Sequence, residues 1–196
     1  MDAFAILGET VEQSGEYRIA AGRDVVWQSL NDADVLAKCI DGCQSMTKVS
    51  DTRFDATVKV KIGPVSAMFK AELNLTGVNP PVSYSIDVNA KGGVAGFGKG
   101  TAVVSLEEDG GETILHYQVK ASVGGKLAQV GSRLIDAVAR KMADQFFRAF
   151  ANEVGASEIV AIEDNGQLGE QIISNGQWKI WVVVFATLIL ALVLAF

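Results

Sequence analysis

The sequence predicts an α+β fold: a curved antiparallel sheet around one long C-terminal helix, followed by a C-terminal transmembrane helix. Three observations carry this expectation. Apolar and polar residues alternate with period two in several runs between Phe54 and Ala121, as in strands buried on one face only. A helical repeat of apolar positions follows over 125–154. The run from Ile180 to Phe196, "IWVVVFATLILALVLAF", carries no charge. With 196 residues, 49% apolar and 20% charged, the chain can close one hydrophobic core with sequence to spare.

In chain order, "DVVWQSLNDADVLAKCI" (24–40) reads as one or two short helices. Asp24 is placed to cap the first, Val26, Trp27 and Leu30 form its apolar side, and Asp32 begins a second turn toward Leu36. From Phe54 to Ile62, Phe54, Ala56, Val58, Val60 and Ile62 point one way and Asp55, Thr57, Lys59 and Lys61 the other, until Gly63 and Pro64 break the strand. A second strand sets Phe69, Ala71, Leu73 and Leu75 against Lys70, Glu72 and Asn74, ending at the turn "GVNPP" (77–81). Strands at 83–88, 101–106 and 113–121 complete a meander of hairpins with one apolar side. The cover for that side is "GKLAQVGSRLIDAVARKMADQFFRAFANEV" (125–154), where Val130, Leu134, Val138, Met142, Phe146 and Phe150 recur at four-residue steps as an inward stripe. A cavity is expected where sheet and helix diverge, with Phe69, Val138 and Met142 among its lining and a hydrophobic small molecule as its occupant. Core packing is the competing role for the Met142 and Phe146 stripe.

Residues 155–177 combine glycines, acids and amides, so the expected organisation is a ligand-binding domain over 1–154, a flexible linker over 155–177 and a membrane anchor over 178–196. At ~1.5 Å per residue, 178–196 makes roughly 28 Å of helix against a hydrocarbon layer of ~30 Å. Trp178 and Trp181 suit the headgroup level, and Lys179 favours an N-terminal domain facing the cytoplasm. The expected location is the cytoplasmic membrane, held by a single C-terminal span in contact with membrane lipid. The opening "MDAFAILGETVEQ" lacks a basic stretch followed by an apolar one, and two cysteines fit a reducing compartment. A net charge of −6 without a dense Lys/Arg run argues against nucleic acid as a partner.

Several motifs are weaker than they first look. "GVAGFGKG" (93–100) imitates a phosphate loop through its lysine, but Gly100 stands where Ser or Thr should meet magnesium and a strand replaces the required helix. The glycines fit a tight or bulged hairpin better, leaving Phe97 as a bulky lid. "CIDGC" (39–43) with the lone His116 does not assemble a zinc site, and its spacing is not that of a thioredoxin-type dithiol, so no metal site is expected. No nucleophile, base and orienting group emerges from the spacing, so no catalytic residue is assigned and an enzyme is not expected.

Two stretches, "GEYRIAAGRDVVWQSLNDADVLAKCIDGCQSM" (15–46) and "ASVGGKLAQVGSRLIDAVARKMADQFFRAF" (121–150), resemble the signature regions of the carbon monoxide dehydrogenase G-subunit family, a branch of the START-like (SRPBCC) helix-grip superfamily. The resemblance covers roughly 14–153. It implies an accessory protein of a molybdenum hydroxylase complex of the carbon monoxide dehydrogenase type, anchoring that complex at the membrane and carrying a quinone such as menaquinone or ubiquinone that passes electrons to the respiratory chain. Metal and flavin groups would belong to the catalytic subunits, and no covalently bound cofactor is implied. The family pattern carries Trp27, Leu36, Phe97, Val130 and Leu134 as cavity or mouth positions. It makes "CIDGC" a shaped corner at the cavity rim, with partner contact or redox chemistry as the other readings for Cys39 and Cys43. The sequence departs from that pattern where proline is common: near Ala21 and Gly22, and at Asp41. A docking scaffold that carries no electrons, or a general lipid-binding protein, is the alternative.

Overall fold

The computed structural model describes residues 9–156 and 159–162. The chain divides into two units, Met1–Asp164 and Asn165–Phe196, and all the described residues lie in the first. In order they form β1 (Glu9–Ile19), α1 (Arg23–Leu30), α2 (Ala33–Cys39), β2 (Cys43–Ser50), β3 (Arg53–Ile62), β4 (Val65–Asn79), β5 (Ser83–Lys91), β6 (Phe97–Asp109), β7 (Glu112–Gly124), α3 (Ser132–Glu153) and β8 (Ile159–Ile162), with 3-10 turns at Gly93–Ala95 and Ala128–Val130.

Consecutive hairpins from β2 to β7, then β1 and β8, make one antiparallel sheet in the order β2-β3-β4-β5-β6-β7-β1-β8. The sheet is open: β2 and β8 are its edges and it does not close on itself, which corrects the expected sheet wrapped around its helix. The helix-grip topology stands, with α1, α2 and α3 against one face.

Local chemistry explains the elements. Asp32 caps α2, its Oδ1 accepting from the backbone N–H groups of Asp34 and Val35 at 2.8 and 3.2 Å. Asp24 does not cap α1; Gly22 holds that position without a side-chain bond. In α3 the expected row of four-residue steps drifts, because each step advances roughly 400° and so rotates about 40° past a full turn. Its buried residues are accordingly Ile135, Phe147, Phe150 and Ala151, while Leu134 is 38% exposed. Val130 precedes the helix, in the second 3-10 turn.

The core forms two clusters. The larger gathers Ile19, Val26, Leu30, Phe54, Tyr84, Leu106, Leu115, Phe147 and Phe150 beneath α1, α2 and the second half of α3. The smaller gathers Ile62, Phe69, Ala95 and Leu127, with Val130 and Val138 packed against it.

Two expectations change. No helix among the described residues is long and apolar enough to cross a membrane. Those residues therefore supply neither the transmembrane element of the expected fold nor support for the anchor function or for a location at a cytoplasmic membrane through a single span. The run 178–196, with Trp178, Lys179 and Trp181, lies outside the described residues. Within the expected linker, Ile159–Ile162 forms β8 and pairs with Glu16–Ile19 of β1, so the fold continues past Val154.

Candidate functional site

Strand register sets which inward residues become neighbours. Ala56 pairs with Ala71, Ala71 with Ala90, Ala90 with Gly98, and Gly98 with Val123. Four adjacent strands therefore contribute only Ala or Gly to one continuous row facing the helices. The next row includes Gly100 beside Ala121, and the following one Ala102 beside Val119. The floor is thus small from β3 to β6 in the first row and at Gly100, Ala121 and Ala102 beyond it, while Leu73, Val88, Leu75 and Ile86 complete the other rows.

The first row is uncovered at its Gly98 end, whereas Ala56 is buried and Ala90 packs against the smaller cluster. A Cβ added to Gly98 would meet nothing within 4 Å. Val58, Ala71, Val88, Ala102, Val119 and Met142 belong to neither cluster and stay partly exposed, although the strand residues among them point to the inner face. Packed interiors leave few such openings, so partial exposure on an inner face marks a gap reached by solvent. Its lining is apolar, which suits an apolar molecule.

Polar groups flank the gap at the larger cluster. The Tyr17 hydroxyl donates to Asp144 Oδ1 at 2.8 Å, and its ring forms a triangle with those of Phe147 and Tyr117, at centroid distances of 4.0 and 6.0 Å. Burial, then the bond to Asp144, raises the Tyr17 pKa above the ordinary phenol value, and burial raises that of Tyr117. Both hydroxyls stay protonated at neutral pH. Gly15 makes room for this arrangement: a Cβ there would sit 2.6 Å from the Tyr117 ring.

The expected site residues are spread over several places. Phe69, Val130 and Val138 meet in the smaller cluster, where Phe69 lies over Gly92. Trp27 and Leu36 pack on the larger cluster, with the Trp27 ring edge-on to Tyr84 at 5.3 Å. Met142 sits between the clusters. Leu134 stands over the β3–β4 turn, 3.0 Å from where a Gly63 Cβ would be. Phe97 occupies an outward position and lies over Gly124 rather than above the floor. Sequence reasoning missed Tyr17, Tyr117 and the Ala/Gly row; the alternation of small residues was readable, but their alignment across strands was not.

The corner "CIDGC" is built on backbone. Gly42 has φ +78°, its carbonyl accepts from the Lys59 N–H at 2.8 Å, and a Cβ there would collide with the Lys59 carbonyl oxygen. Both cysteines are free thiols. Cys39 is 3% exposed in the larger cluster, and burial pushes its pKa up to about 11, whereas Cys43 is half-buried with Sγ 3.5 Å from the Ser45 carbonyl. His116 lies on the outer side, with Nδ1 3.1 Å from a Glu16 oxygen. Among the described residues, no group of three or more His, Cys, Asp or Glu could hold a metal ion.

A family model described as that of the carbon monoxide dehydrogenase G subunit, CoxG, matches residues 15–155. Among solved structures, a conserved protein from Geobacillus kaustophilus is 30% identical with a TM-score of 0.70, the match covering 74% of this chain and 95% of that one. The ZhuI aromatase/cyclase from Streptomyces sp. R1128 is similar at 12% identity and a TM-score of 0.56, over 75% of this chain and 94% of that one. A START superfamily protein from Mycobacterium smegmatis is similar at 14% identity and a TM-score of 0.55, over 74% and 97%. The last two likenesses concern the fold alone. No curated protein matches the chain.

Proposed function

We propose, since the chain belongs to the CoxG family of carbon monoxide dehydrogenase, that it is a non-catalytic accessory protein of a carbon monoxide dehydrogenase-like complex and holds an apolar molecule between α3 and the sheet. Family membership links it to such a complex. The Ala56–Ala71–Ala90–Gly98 row carries the ligand half of the reading, because a sheet that offers no large side chain beneath a helix leaves volume that a bound apolar group would fill. With the Tyr17 proton donated to Asp144, the neighbouring Tyr117 hydroxyl is the polar group at the edge of the gap that could meet a carbonyl oxygen. A quinone, with an apolar body and ring carbonyls, is the chemistry to try first.

The test is extraction of the full-length chain purified from its own cells, followed by mass spectrometry of the organic phase, with parallel titration of soluble menaquinone and ubiquinone analogues. The expected result is an apolar compound near one per chain, or saturable binding of an analogue that competes with it. Absence of both would leave a docking scaffold with a closed interior.

A further inference from the structure

We propose, resting on the accessory role above for the partner's identity, that the outer face of the sheet at its β3–β4 and β5–β6 end docks a protein through that protein's carboxylates. Lys59, Lys61, Lys70, Lys91 and Lys99 are exposed there, on the face turned away from the helices. The stretches 56–71 and 88–106 that build this end contain no Asp or Glu, in a chain of net charge −6. Among the described residues none of these five lysines forms an ion pair. Lys70 and Lys91 are direct cross-strand partners, an arrangement that costs stability unless something else neutralises it.

The far end of the same strands is built differently. There Arg18 pairs with Asp109 and Glu112 at 2.7 and 3.1 Å, and Arg23 with Glu108 at 3.4 Å. Glu108, Asp109 and Glu112 are answered within the fold; the five lysines at this end are not. A surface cleft of about 440 Å³ lies beside Lys91 and Lys99, lined also by Asn89, Gly93, Gly96 and Phe97. It offers room for an acidic side chain between two ammonium groups, with Phe97 (38% exposed) and Met68 (45% exposed) as apolar contacts nearby.

Shape favours a protein over a lipid surface. Phe97 lies flat across Gly124, so Val94 is the one strongly projecting apolar residue of the β5–β6 turn, too little for insertion into a bilayer. A second copy of the chain is disfavoured, because the acids at its opposite end already hold arginines and a head-to-tail contact would not close.

The test mixes the full chain with the carbon monoxide dehydrogenase-type holoenzyme purified from the same cells. Binding is measured for wild type and for the combined Lys70→Glu, Lys91→Glu, Lys99→Glu variant, and carbodiimide coupling maps which amines join which carboxylates. Charge reversal is expected to weaken binding at least about tenfold at low salt, with the difference fading near 1 M salt, where screening acts within ~3 Å. Couplings are expected from Lys70, Lys91 or Lys99 to Asp or Glu of the enzyme. Unchanged affinity in the variant overturns the docking face and leaves the accessory role standing. No binding of wild type removes the role and the docking together. Loss on charge reversal of wild-type binding to phosphatidylglycerol vesicles, or of self-association, without any binding to the holoenzyme, assigns the lysines to lipid or to a second copy and also overturns the proposal.

Discussion

Gly98 and Gly100 stand two residues apart on β6 and point to the same inner face, yet they should respond in opposite ways to a side chain. A Cβ on Gly98 meets nothing within 4 Å, whereas one on Gly100 would lie 2.6 Å from the Lys120 carbonyl oxygen and 2.8 Å from the Ala121 Cβ. Gly98→Ala should stabilise by about 0.4–1 kcal/mol, chiefly by restricting the unfolded chain. Gly100→Ala must push β7 away and should cost about 1–3 kcal/mol, as overpacked sites do. In a domain of roughly 150 residues each kcal/mol moves the midpoint about 2–4 °C, so the two variants should separate by several degrees. Gly98→Leu extends the perturbation into the gap: it should remain folded while weakening binding of an apolar ligand at least about tenfold, equivalent to ~1.4 kcal/mol. Urea and thermal unfolding give the stabilities, and titration with a soluble quinone analogue gives the binding. Equal destabilisation by Gly98→Ala and Gly100→Ala would refute the gap, and a Gly98→Leu variant that folds and binds as wild type would refute its use.

Four other outcomes test the surroundings of the site. Gly42→Ala should lose at least about 1–2 kcal/mol in chemical denaturation, since it places a Cβ at φ +78° against the Lys59 carbonyl; an unchanged midpoint would remove the corner's dependence on glycine. Tyr17→Phe leaves Asp144 without its 2.8 Å donor and should cost about 1.5–3 kcal/mol by the same measurement, the range for bonds to charged groups, discounted toward the lower value because Asp144 is exposed. Cys39 has a folded pKa raised from 9.0 to about 11, so its contribution to stability is complete below pH 9 and falls as pH rises toward 11, when the unfolded chain ionises first. Unfolding midpoints between pH 8 and 11 should therefore decline less steeply for Cys39→Ala than for the parent, and equal slopes would contradict the burial of this thiol. Iodoacetamide at pH 8 should label Cys43 well before Cys39.

How much was legible depended on whether a signal was local. β3 was readable within one residue because Phe54, Ala56, Val58, Val60 and Ile62 alternate without interruption. β1 was not read as a strand, because its inner face carries Gln13 and Gly15 where apolar residues were sought. Gln13 donates from Nε2 to the Asp136 carbonyl of α3 at 3.0 Å, and Gly15 accommodates Tyr117, so both depend on residues more than a hundred positions away. β2 escaped for another reason: it is an edge strand, exposed along most of its length, and shows no period. β8 is a run of only four apolar residues, Ile159–Ile162, among glycines and acids, too short to read as a strand without its pairing to β1. The floor has the same origin. Ala56, Ala71, Ala90 and Gly98 are each unremarkable alone, and only hairpin register, fixed by turn length and long-range pairing, brings them into one row. Of the positions chosen by periodicity or family likeness, Met142 borders the gap, whereas Phe97 lies outward over Gly124.

The most direct measurement is solution NMR of the full chain with labelled alanine and methionine methyl groups, in the presence of the apolar compound that co-purifies with it or of a soluble quinone analogue. The account requires intermolecular contacts from the Ala71, Ala90 and Met142 methyls, with Met68, which points outward from β4, unaffected. Contacts confined to Met68, or none at a saturating concentration, would contradict a ligand held between the helix and the sheet.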